Sequence, residues 1–260
     1  MDRFSPHVQR GFVWTGPATC VVMVAGLLLA GMLPPTSPVA TAEQIANHYR
    51  DHQLGIRLGC VLMMIGFALM GVWGTAVAMW TRRTERGFPV ASYVQLVFVA
   101  ASVAQTLLCP VIWAVAAFRP DELGDGVTRM LNDLGWYLIL FNAPLFEAWV
   151  IAAAVAILRD KSAAPAFPRW TGYLSLSTAL LNLPACCMAF FKTGPLAYNG
   201  VFAFYVPFGI FFVWVVCLTY AMFKHVSVLE RELAGPATSS GPSAQIASDQ
   251  NFSKVWGAGR

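Results

Sequence analysis

The sequence predicts an all-α integral membrane protein, a polytopic bundle of six spanning helices, and three observations carry that prediction. Of its 260 residues 57% are hydrophobic and only 12% are charged, where a soluble domain carries about 25% charged residues. The mean hydropathy is +0.60. The apolar residues gather into six long runs instead of spreading at the spacing of an amphipathic surface helix. A run of about 20 residues, rising about 1.5 Å per residue, crosses a hydrocarbon core of about 30 Å. Inside that core each backbone polar group needs a partner from the chain itself, which a helix supplies.

The first run, residues 11–33, follows Arg3 and Arg10 and ends at Pro34-Pro35. Ala40-Thr41-Ala42 has the small-x-small form of a cleavage site, but the run exceeds the ~7–15 apolar residues of a signal peptide, so it is expected to remain as a span. Residues 34–59 form the most polar connection, in which Thr41-x-x-Gln44 has the form of a capping box and predicts a short helix leading into the second span. That span, residues 58–80, carries Gly59, Gly66, Gly71 and Gly74, and Gly55-x-x-x-Gly59 stands at its entrance, a spacing that lets helices approach closely. The third run covers residues 91–118, the fourth 134–158, the fifth 170–191 and the sixth 200–223. The chain therefore divides into an N-terminal segment (1–10), one transmembrane domain (11–233, including a helical extension from Lys224) and a tail (234–260) whose Ser, Gly, Ala and Pro predict disorder.

Topology follows from charge. With a cytoplasmic N-terminus, only Arg50, Arg57, Arg119, Arg129 and Lys192 of the 17 Lys and Arg fall in outer connections. The positive-inside bias then places both termini in the cytoplasm and the chain in the cell membrane as a multi-pass protein. The net charge of +4 resides in loops and tails, so the bilayer is the expected partner and nucleic acid is not.

Four segments carry a family likeness: PPTSPVATAEQIANHYRDHQLGIRLG at residues 34–59, LNDLGW at 131–136, FPRWTGY at 167–173 and FFKTGPLAYNG at 190–200. With these the chain resembles a group of bacterial, mainly actinobacterial, six-helix integral membrane proteins of unknown function. The resemblance spans most of residues 33–226. It implies the six-span layout and a bacterial inner membrane, and it transfers no catalytic residue.

The membrane midplane holds the most informative chemistry. Gln105, Glu147 and Asn182 lie at similar depth in the third, fourth and fifth runs, and Asn142 lies further out on the same run as Glu147. A charged carboxylate at that depth costs roughly 2.5–3.5 kcal/mol, by analogy with Asp, so Glu147 is expected to face other helices or water, or to hold its proton. Asn142-Ala143-Pro144 and Asn182-Leu183-Pro184 repeat one pattern on helices of opposite direction. Each proline removes a backbone donor and frees a carbonyl about one turn earlier, as in the discontinuous helices of transporters. One reading is a polar pocket that binds or moves a small apolar or weakly acidic solute, or a proton through Glu147. The other is packing, with a protonated Glu147 bonded to Gln105 or Asn182 for about 0.6–2 kcal/mol. The protein would then be an accessory or assembly subunit that docks a membrane-protein partner.

The remaining signals favour plain roles. Ser and Cys lack a His or Lys base at matching depth, so an enzyme is not expected. None of the histidines, His7, His48, His52 and His225, falls where a membrane haem takes its ligands, and no cofactor is expected. His48 and His52 are weak metal candidates: four residues apart on a helix they could share one Zn²⁺, but they lack a clear third ligand. The favoured reading there is a solvated face with Tyr49 as an interfacial anchor. Asp121, Glu122, Asp125 and Asp133 miss the EF-hand pattern and read as a solvated loop. Trp14, Trp80, Trp136 and Trp170 sit at span ends, where aromatic belts form.

Overall fold

The computed structural model describes residues 6–85, 87–162 and 165–234. It contains α1 (Pro6–Leu29), α2 (Ala42–Asp51), α3 (Gln53–Arg82), α4 (Val90–Ala116), α5 (Asp125–Leu140), α6 (Ala143–Arg159), α7 (Arg169–Asn182) and α8 (Val206–Ala234). A 3-10 helix, Leu183–Phe190, continues α7, and a π-helical turn, Val201–Tyr205, precedes α8. No strand occurs among the described residues. Among the described residues six stretches are long and apolar enough to cross a membrane: Val8–Leu29, Gln53–Arg82, Val90–Ala116, Asp125–Arg159, Arg169–Phe190 and Val201–Ser227. The protein is an all-α bundle of membrane-spanning helices. The proposed tail from residue 235 onward lies outside the described residues, as do residues 1–5.

Glycine sets the tightest helix contact. A Cβ at Gly59 would run into the carbonyl oxygen of Gly26, and one at Gly26 would stand 2.9 Å from that of Gly59. Gly55 packs in the same way on the carbonyl of Leu29, and Gly66 on Met23. Without a hydrophobic force between helices in lipid, this close approach gains dispersion and weak Cα–H···O contacts that bulkier residues would prevent. α1 then ends in a Schellman motif: Met32 N donates to Leu27 O at 2.9 Å, Gly31 N to Leu28 O at 3.0 Å, and Gly31 takes φ +64°. The capping box of α2 is present as read, with both reciprocal bonds between Thr41 and Gln44. Helix α2 does not run unbroken into α3, however, because His52 leaves the helical region (φ −111°, ψ 20°) and forms a joint.

The bundle end that carries α2 is closed by a polar and aromatic network centred on Asn132 of α5. The Thr36 hydroxyl accepts from Asn132 Nδ2 (3.1 Å) and from Trp136 Nε1 (2.9 Å). Tyr49 OH reaches Asn132 Oδ1 at 3.5 Å, Trp113 Nε1 donates to Asn132 O at 3.1 Å, and Tyr198 OH donates to Asp133 Oδ1 at 3.1 Å. Arg50 adds an ion pair across the same face to Asp125, 2.6 Å. Residues 34–59, 131–136 and 190–200 thus meet here, through Thr36 and Tyr49, through Asn132, Asp133 and Trp136, and through Tyr198, while residues 167–173 do not take part. Those lie elsewhere, with Gly172 packed against Leu158.

This network corrects two expectations. Tyr49 is no interfacial anchor, because it is fully buried, and Trp136 and Trp80 are buried as well. Trp14 and Trp170, 61% and 47% exposed, keep the outward placement of a belt. For Tyr49 and Trp136 the cause is physical: a phenol O–H or indole N–H with a partner inside the bundle gains more there than at the headgroups; Trp80 packs instead edge to face against the His225 ring.

Replacing Gly59 by Ala is expected to cost about 1–3 kcal/mol through overpacking, read as a lower melting temperature in detergent. Gly209→Ala, where a Cβ meets nothing within 4 Å, serves as the neutral control. The capped end is also expected to fail in alkali. Burial first, then neighbouring ionisable groups including Asp133, push the Tyr49 hydroxyl well above its ordinary value of 10.0. Burial does the same at Tyr198. A tyrosine kept neutral only when folded stabilises fully below its unfolded pKa of about 10 and progressively less above it. Melting temperature should therefore fall above about pH 10, and Tyr49→Phe should flatten that fall.

Candidate functional site

Helices α5 and α6 occupy one span but are separate. Asn142 holds the N-cap position of α6 without a side-chain capping bond, and Pro144 follows within the first turn, where the missing proline N–H would have no intrahelical acceptor anyway. A continuous helix would have the N–H of residue 142 serve the Leu138 carbonyl. Instead Gln105 Nε2 of α4 reaches that carbonyl, at 3.3 Å. The second Asn-x-Pro behaves similarly: α7 stops at Asn182, Pro184 stands in the first turn of the 3-10 helix, and Asn182 Nδ2 bonds back to Thr178 O at 2.8 Å. The first interruption is thus bridged by a side-chain amide from a neighbouring helix, and at the second the Asn182 amide bonds back one turn within α7.

The two interruptions face one cavity of about 80 Å³. Met23 of α1, Phe67 and Met70 of α3, and Ser102 and Thr106 of α4 form one wall. Asn142, Ala143 and Phe146, then Asn182 and Ala185, then Pro207, Phe208 and Phe211 form much of the other. Asn142 Nδ2 donates to Ser102 Oγ at 2.5 Å, and Thr106 Oγ1 donates to Ser102 O at 3.0 Å. Asn142 Oδ1 is buried and has no partner among the described residues. The site therefore presents a free carbonyl acceptor beside a serine hydroxyl whose own hydrogen remains to be donated. No charged side chain lines it.

Of the residues singled out from sequence, Asn142 and Asn182 line this cavity, while Gln105 spans α4 to the carbonyl of α5. Glu147 is not among the lining residues. It is 8% exposed, and its Oε1 has no partner among the described residues. Sequence reading passed over Ser102 and Thr106. Their signal was present in Gln95, Ser102, Thr106 and Cys109, all buried on α4, at seven-, four- and three-residue intervals that mark one helix face. No family model, curated protein or solved structure matches the chain.

Aromatic rings connect the cavity to the capped end. Trp136 contacts Phe204 of the π turn at 5.8 Å between centroids, and Phe204 stacks at 4.4 Å on the cavity residue Phe208. Behind the cavity Phe146, Trp149 and Trp214 pack edge to face at 5.2–5.8 Å.

The roles of Gln105 and Glu147 separate by substitution. Gln105→Leu leaves the Leu138 carbonyl without its donor and is expected to lower stability by about 1 kcal/mol. Glu147→Leu removes a buried carboxyl that has no partner and is expected to be neutral or stabilising. Thermal unfolding in detergent measures both.

Proposed function

We propose that the protein binds, and passes across the membrane, a small neutral polar solute at the cavity between α4, α6 and the 3-10 helix. The supporting observation is the convergence of both interrupted helices on one cavity where Asn142 Oδ1 stands buried and unpartnered. A buried carbonyl without a partner costs about 1–3 kcal/mol, a cost that a solute hydroxyl or amide offsets by donating to it.

Size and charge narrow the solute. A water needs roughly 10–15 Å³ of such space and drug-sized ligands occupy about 300–1,000 Å³, so about 80 Å³ suits a few waters or a solute of a few heavy atoms. With no cation or anion in the lining, a charged species would be desolvated without compensation. A weak acid fits in its neutral form. On the positive-inside bias we place the capped end outside the cell and both termini in the cytoplasm.

Proteoliposomes test this reading by light scattering after rapid mixing with urea, glycerol or neutral acetic acid. Wild type is expected to admit at least one of them several-fold faster than protein-free vesicles. Ser102→Leu, which fills the cavity and removes the hydroxyl, should return the rate to that of empty vesicles. Equal rates for wild type and empty vesicles, with folded protein confirmed by its melting curve, would reject the proposal.

A further inference from the structure

The joint between α2 and α3 carries a pair of histidines that the transport reading does not use. His48 and His52 stand one helical turn apart with their rings stacked, 4.7 Å between centroids and 29° between planes. His52 Nδ1 lies 3.1 Å from the carbonyl oxygen of His48. That nitrogen is therefore the one bearing hydrogen, and His52 Nε2 keeps its lone pair. Metal-binding imidazoles use this arrangement, one nitrogen donating to a carbonyl so that the other is oriented as a ligand.

His48 supplies the matching half. Its Nε2 is buried and has no hydrogen-bond partner among the described residues. Burial, followed by the neighbouring His52, holds the His48 pKa below its ordinary 6.5 against the opposing effect of Asp51. The ring is neutral at pH 7, the form a metal requires. Opposite the pair lies Gly31, where a Cβ would stand 3.1 Å from His48 Cε1 and 3.7 Å from both His48 Nε2 and His52 Cδ2; a larger residue there would crowd both rings. Gly31 also closes the C-terminus of α1, whose partial negative charge favours a cation beside it.

We propose that His48 and His52 form a two-imidazole site for a borderline transition-metal dication, Cu²⁺ or Zn²⁺, completed by water. No cluster of three or more His, Cys, Asp or Glu that could hold a metal occurs among the described residues. Water therefore fills the open positions, and the affinity is below that of a closed four-ligand site. Cu²⁺ binds more tightly than Zn²⁺ in such a nitrogen site. The bound ion ties α2 to the joint at His52 and so steadies the cap that holds Tyr49 over Asn132.

Full-length protein in detergent, stripped with chelator, is titrated with Cu²⁺ alone and then Zn²⁺ alone. Calorimetry is expected to give one saturable Cu²⁺ site, and electron paramagnetic resonance to give nitrogen couplings from two imidazoles. His52→Ala, at an exposed position, should keep the melting temperature of the metal-free protein and weaken Cu²⁺ binding more than about tenfold. His48→Gln should do the same to binding. Metal should raise the melting temperature of wild type and not of His52→Ala. Unchanged affinity in His52→Ala, coupling from a single nitrogen, or no saturable binding at millimolar metal would each overturn the assignment.

Discussion

Every interruption of a helix inside the bilayer has to be repaired from within the protein, and the architecture of this bundle follows from how two such repairs are made. Asn142-Ala143-Pro144 and Asn182-Leu183-Pro184 end helices at membrane depth. Gln105 takes the Leu138 carbonyl and Asn182 takes that of Thr178. Asn142 turns its amide nitrogen to Ser102 and leaves its oxygen unpaired. This last atom lies on the cavity, among the lining residues, and gives the site a buried acceptor that no described residue satisfies.

Much of this was legible in sequence because lipid simplifies the code. Length and composition alone give the spans, since a soluble alternative would need charged faces that the runs lack. The capping box at Thr41 and the small-residue entrance at Gly55 and Gly59 were readable because each is a local steric rule. The Asn-x-Pro repeats marked the interruptions for the same reason. What could not be read was which faces meet. Depth placed Gln105, Glu147 and Asn182 at one level, but rotation about each helix axis decides contact, and at that level Gln105 turns to α5, Asn182 bonds back along α7, and Glu147 Oε1 has no partner among the described residues. Tyr49 and Trp136 misled for a related reason: an aromatic at a span end faces lipid or protein according to a partner that is far away in the chain, here Asn132 and Thr36.

Three separate segments, residues 34–59, 131–136 and 190–200, share a common physical role in the structure. Thr36, Asn132, Trp136 and Tyr198 come from separate connections and satisfy one another's donors and acceptors at the capped end. Such a network is exacting, because a half-satisfied version costs more than an apolar one. Sequence at these positions is therefore tied together by hydrogen bonding, and it need not report on a catalytic centre.

The two walls of the cavity differ in kind. α1, α3 and α4 are continuous helices, and the first pair is locked by carbonyl contacts at Gly26 and Gly59 that no side chain can enter. The facing spans hold the α5–α6 interruption, the 3-10 helix and the π turn, elements with poorer or shifted hydrogen bonding that can rearrange at lower cost. A change of access to the cavity is therefore expected to arise in the second wall, with the first as its fixed reference. The ring contacts from Trp136 through Phe204 to Phe208 place the π turn between the capped end and the cavity. Glu147 belongs to the same half, buried on α6 next to the lining residue Phe146 in the chain but absent from the lining itself, so the buried acid and the uncharged cavity are separate features of one helix.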